Sequence, residues 1–174
     1  MMDLEFFPRI LVAALLGSII GLEREYRAKE AGFRTHFLVA MGAALFMILS
    51  AHGFDGVLTS ENHRLDVSRI AAQVVSGIGF IGAGTIIFQR KVVRGLTTAA
   101  GLWVTAAIGM AAGAGMYALA AATTLLVLFG LEAFNHALRH INRRGSAEQL
   151  DADDEETSDP KINEFFDQEN HQKQ

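Results

Sequence analysis

Residues 69–100 read RIAAQVVSGIGFIGAGTIIFQRKVVRGLTTAA. No residue from Ile70 to Phe88 is charged. As a helix this run would reach about 28 Å, close to the hydrocarbon thickness of a bilayer. It carries Gly77, Gly79, Gly82 and Gly84. In water a mid-helix glycine costs about 0.8–1 kcal/mol against alanine. A lipid-buried helix tolerates glycine, because an unpaired backbone group costs more there. On a helical wheel Ala72, Ser76, Gly79 and Ala83 form one small-residue stripe, and Gln73, Gly77 and Gly84 form a second. Two small faces predict two close neighbours, so the run is expected to be the central, helix-packing element of a transmembrane bundle.

The same glycines match G-x-G-x-x-G, the dinucleotide fingerprint. That motif needs a preceding strand and an acidic residue about 20 positions on. Here the glycines lie within an apolar run and the following segment is basic, so a nucleotide site is not expected.

Outward from this run, the apolar residues remain clumped into segments near span length, the signature of a membrane protein. The 174 residues are the size of one domain. The net charge of −4 divides into a body, residues 1–144, at +4 and a tail, residues 145–174, at −8. The absence of cysteine excludes disulfides, thiolate nucleophiles and Cys-based zinc sites. Asp3 and Glu5 stand where a cleavable signal would be basic, so the first helix is expected to be retained.

The expected fold is all-α, a polytopic bundle of five spans at about 6–22, 35–51, 70–88, 96–112 and 116–134. Pro8 falls in the first turn of the first span, where it does little harm. Ala13, Gly17 and Gly21 give that span a small seam. Thr98, Gly101, Thr105, Gly109 and Ala112 do the same for the fourth, with Trp103 away from the seam. The uncharged stretch from Gly95 to Leu131 is twice a span's length and is broken at residues 112–115. Basic residues concentrate in the loop after the first span (Arg24, Arg27, Lys29, Arg34), in the 89–94 connection (Arg90, Lys91, Arg94) and after the fifth span (Arg139, Arg143, Arg144). The positive-inside rule places these in the cytoplasm, with the N-terminus out and the C-terminus in. Residues 145–174 are too acidic and too poor in apolar residues to fold alone, so a disordered cytoplasmic tail is expected.

The chemistry is sparse. No carboxylate lies near mid-span; Glu5, Glu23 and Glu132 fall near span ends. A Mg²⁺ path would want oxygen ligands along its route. Glu132, His136 and His140 repeat at one-turn spacing, but three ligands without a fourth read as a helix leaving the membrane rather than a zinc site. No catalytic residues, metal or cofactor are expected, and no enzyme. Two polar clusters remain. The outer one is Arg9, Asp66, Arg69 and Gln73, read as interfacial. The inner one is Glu23, Arg24 and Glu25 with Arg34, Thr35 and His36, and Arg94, Thr97 and Thr98 at the same depth. Glu23 and Arg34 bracket a short loop and could pair. Glu23, Arg24, Arg34, Thr35, Thr97 and Thr98 would form a polar floor for an anion or a partner's carboxylate, helped by two helix N-termini.

GLERE (21–25), AGFRTH (31–36), RIAAQVVSGIGFIGAG (69–84), GLTTAA (95–100) and GAGMY (113–117) together resemble the MgtC/SapB family. The resemblance covers about residues 6–131. It implies a multi-pass protein of the bacterial cytoplasmic membrane, linked to magnesium supply. It also implies a regulator acting by helix contact with a membrane partner, in some members the F-type ATP synthase, or alternatively a transporter of Mg²⁺ or another small solute. The lipid bilayer is the first expected partner, self-association the second, and nucleic acid is not expected. Family members carry a folded soluble C-terminal domain, whereas residues 145–174 here are the acidic tail.

Overall fold

The computed structural model describes residues 3–53, 66, 68–89 and 92–133. The tail, His136 and His140, the basic pair Arg90–Lys91 and most of the 54–67 connection lie outside them. The chain divides into two units, 1–129 and 130–174. Of the second, only helical residues 130–133 are described.

Five helices are described: α1 (Asp3–Tyr26), α2 (Phe33–His52), α3 (Ser68–Ala83), α4 (Leu96–Gly113) and α5 (Tyr117–Ala133). The fold is all-α apart from one small hairpin. Three helices, Leu4–Tyr26, Phe33–His52 and Leu96–Gly113, are long and apolar enough to cross a membrane, while α3 and α5 are apolar but shorter. With 16 residues, α3 reaches only about 24 Å.

The expected helix over 70–88 ends early, at Ala83. Gly84 breaks it, and Thr85 Oγ1 donates to the Gly82 carbonyl at 2.7 Å. Beyond lie Ile86, Ile87, Val92 and Val93, β-branched residues that prefer a pleated chain. Strands β1 (Ile87–Gln89) and β2 (Val92–Arg94) pair antiparallel, with Phe88 opposite Val93. Gly95 then turns the chain into α4 at φ 85°. A side chain there would strike the Thr85 carbonyl, so glycine is required twice over.

The α4–α5 break falls where the glycines predict. Gly115 is left-handed at φ 82°, and the Met116 N–H reaches back to the Ala111 carbonyl at 2.8 Å. This is a Schellman stop.

The centre of the bundle is α1, α2 and α4, and this corrects the expectation for α3. A Cβ on Gly17 would lie 2.6 Å from Ala40 Cβ, and one on Gly113 would lie 2.6 Å from the Ala44 carbonyl oxygen. A Cβ on Gly109 would strike the Ala40 carbonyl. α2 is thus clasped between the small seams of α1 and α4 at backbone contact. Two apolar clusters fill the gaps. Ala13, Ile20, Ala44, Ile108, Ala112 and Ala120 make one, and Ala31, Ala43, Ile78, Leu102 and Ala106 the other. α3 lies at the edge, and its buried residues are Ile78 and Gly82.

The helices alternate in direction. Phe6 stacks on His52 at 4.8 Å, joining the start of α1 to the end of α2. Arg9 Nη1 donates to the Gly113 carbonyl at 3.1 Å, bringing the end of α4 to the same side. A Cβ on Gly82 would lie 3.4 Å from the Ala99 carbonyl oxygen, so the end of α3 meets the start of α4.

Candidate functional site

The inner cluster gathers where α1 ends and where α2 and α4 begin. Arg24 Nε donates to Glu23 Oε2 at 2.6 Å and its Nη2 to Oε1 at 3.1 Å. Arg27, one turn on, donates from Nε to Oε1 at 2.6 Å. Both oxygens of Glu23 are therefore committed to arginines in and just past the last turn of α1. The expected Glu23–Arg34 pair does not form. Arg34 is exposed and makes no ion pair among the described residues. It lies in the first turn of α2, while Glu23 is taken by Arg24 and Arg27.

At both helix starts the chain places a carboxylate of its own. Glu25 Oε2 accepts the Phe33 N–H at 2.7 Å and caps α2. Gly32 leaves room for it, since a Cβ there would fall 2.7 Å from that oxygen. Thr98, in the first turn of α4, donates its hydroxyl to Glu30 Oε2 at 2.6 Å. That bond holds the Glu30 carboxyl below its usual range, with smaller help from its own backbone N–H, Lys29 and Arg94. The 27–32 loop is thus tied down at both helix starts, even with Ala28 held at φ 50°.

Behind this rim the interior is polar. Arg24, His36, Thr98 and Thr105 are each no more than 1% exposed. They come from three helices. His36 Nδ1 lies 2.9 Å from the Gly32 carbonyl. A carbonyl can only accept, so Nδ1 carries a proton, and in the neutral ring Nε2 then presents a lone pair. That Nε2 faces α4, 3.7 Å from where a Gly101 Cβ would be. Arg24 Nη1, His36 Nε2 and Thr105 Oγ1 have no hydrogen-bond partner among the described residues. Leaving a buried polar group unmatched costs about 1–3 kcal/mol.

Of the six residues expected to form the floor, Glu23, Arg24 and Thr98 belong to this polar end in the sense described. Thr35 is half-buried on α2, and Thr97 and Arg34 are exposed. Sequence reasoning missed three contributors. Arg27 was signalled by its one-turn spacing from Glu23. Thr105 was read only as part of a packing seam. Glu30 gave no signal, because its partner is 68 residues away.

The four glycines of the 77–84 run divide differently. A Cβ on Gly82 would meet Ala99 of α4, one on Gly84 the carbonyls of Ile81 and Phe80 in the last turn of α3, and one on Gly77 or Gly79 nothing within 4 Å among the described residues. The outer cluster does not assemble either. Arg9 turns to α4, whereas Asp66 caps Ser68 through its N–H at 3.0 Å and lies 3.9 Å from Arg69, both exposed. Among the described residues no group of His, Asp or Glu could hold a metal.

The MgtC family pattern matches residues 10–140. A relative from Escherichia coli K12, named "Putative magnesium transporter YhiD", is 53% identical over 134 residues, covering 77% of this chain and 62% of its own length. An uncharacterized Synechocystis protein, slr0014, is 46% identical over 79% of this chain and 54% of its own. Protein MgtC of Salmonella typhimurium is 43% identical over 82% of this chain and 58% of its own. Each match thus spans less than two thirds of the relative's length. No solved structure matches. The family match takes in α1 from residue 10 onward, all of α2 to α4 and the described part of α5, with the polar end between them, and the chain belongs to the MgtC family.

Proposed function

We propose that this chain is a non-enzymatic regulator of the bacterial cytoplasmic membrane, tied to magnesium adaptation. It acts through contact with a membrane partner, and its polar end is the working surface. All five helices span in this reading, with the 27–32 loop and the hairpin in the cytoplasm, where their basic residues belong. The observation that carries the proposal is the set of three unpartnered buried atoms, Arg24 Nη1, His36 Nε2 and Thr105 Oγ1. A stable domain retains such costly groups where function uses them, and intramembrane ionisable residues are functional by default.

Thr105→Val tests this. It removes an unpartnered hydroxyl at almost constant volume. The variant should be at least as stable as the parent, since it loses an unmatched buried hydroxyl, yet fail to support growth at limiting magnesium. Full activity with unchanged stability would refute the working-surface assignment.

The second reading, transport of Mg²⁺ or another small solute, draws on the name of the Escherichia coli relative. Against it, the described spans carry no carboxylate at mid-depth, and α1, α2 and α4 close on one another at backbone distance. Purified protein in liposomes should give no Mg²⁺ uptake above empty vesicles. Saturable, protein-dependent uptake would promote transport over regulation.

A further inference from the structure

We propose that the β1–β2 hairpin is an interfacial anchor, with the Phe88–Val93 face inserted among lipid chains at the membrane surface. The register puts Phe88 directly opposite Val93, so the two share one face. That face is open, with Phe88 78% and Val93 43% exposed. The other face pairs Ile87 with Arg94 and Gln89 with Val92; it mixes exposed Ile87 and Val92 with polar and charged groups, whereas the Phe88–Val93 face is wholly apolar.

Two constraints set the depth. The hairpin is a two-stranded sheet with no further strand among the described residues, so both its edges present unpaired backbone groups. Such edges cannot enter the hydrocarbon core. A face made of Phe88 and Val93 is equally ill placed in water. The interface satisfies both, with edges toward headgroups and water and the apolar face a short way into the acyl boundary.

The covalent chain holds the hairpin there. Phe88 is five residues past the end of α3, and Val93 is three before the start of α4, so they lie within about 18 Å and 11 Å of helix ends. The helices on either side in the chain also expose apolar residues at these ends, Phe80 (85%) on α3 and Leu96 (58%) on α4, and a bilayer covering them would reach the hairpin next. Arg94, on the opposite face, can extend toward lipid phosphates.

The chain has no cysteine, so single nitroxides report cleanly. Phe88→Cys and Val93→Cys, labelled in the full chain in phosphatidylcholine–phosphatidylglycerol vesicles, should collide with oxygen several-fold more often than with a water-soluble nickel complex. Lys29→Cys, in the exposed loop, should show the reverse order. Nickel dominating at 88 and 93 would place the hairpin in water. Exclusion of both reagents would mean that protein covers it, from a second copy or a soluble partner. Opposite results at the two positions would break the shared face. Each of these outcomes overturns the anchor. If Phe88→Cys fails to insert, the conservative Phe88→Trp in a Trp103→Phe background replaces it. Quenching by lipids brominated near the headgroup should then exceed quenching by deeply brominated lipids, and the absence of quenching by either would overturn the proposal.

Discussion

At the scale of single residues, Glu23 does most to hold the inner end in place. It is the counter-ion of Arg24, whose side chain is 2% exposed. Removing one member of a buried pair leaves the other charged and desolvated. Glu23→Ala should therefore cost about 2–4 kcal/mol of unfolding free energy, because the pair is mostly rather than fully buried. Arg34→Ala should stay within about 0.5 kcal/mol, as surface substitutions without partners do. Equilibrium unfolding of the two variants in mixed micelles separates them. Glu30 makes a second residue-scale prediction. Its folded pKa lies below the ordinary value of 4.5, chiefly through Thr98. The carboxylate form is favoured on folding, so its contribution is present above the ordinary value and is lost as pH falls through the lower, folded pKa. Thr98→Val should return the Glu30 titration toward 4.5, read by NMR of the side-chain carboxyl.

At the scale of elements, glycine means different things on different helices. Gly17, Gly109 and Gly113 allow backbones to touch, so a side chain there overpacks. Gly113→Ala should lower the melting temperature, at a cost of about 1–3 kcal/mol. Gly79 has open space around it, so Gly79→Leu should melt with the parent protein. A drop in stability at Gly79 would show that another chain covers that side of α3. Helix positions on α1, α4 and α5 were readable because small residues at one-turn spacing and a Gly-rich break state them directly. The end of α3 was not. An uncharged run looks the same whether it continues as helix or leaves as strand. Gly84 and the β-branched residues after it decided otherwise.

At the scale of the whole molecule, the alternating helices place the 27–32 loop and the hairpin on one side and the Arg9–Gly113 contact on the other. With the basic loops inside, Lys29→Cys should resist a membrane-impermeant maleimide added to intact cells, and Thr59→Cys should react. The opposite pattern would invert the orientation.

The sequence by itself determined that this is an apolar helical protein, where most of its helices lie, and which ends of them are polar. Those properties follow from composition and local periodicity, which each segment carries alone. The tertiary structure decided what the polar residues do. Glu23 could pair with Arg34 or with Arg27, Glu30 could be solvated or bound, and the glycines of 77–84 could face a neighbour or nothing. Each choice depends on which distant backbone comes within a few ångströms. Small-residue stripes on several helices compete for the same partners. Only packing α2 between α1 and α4 settles which stripes are used, and so buries Arg24, His36 and Thr105 together while leaving α3 at the edge.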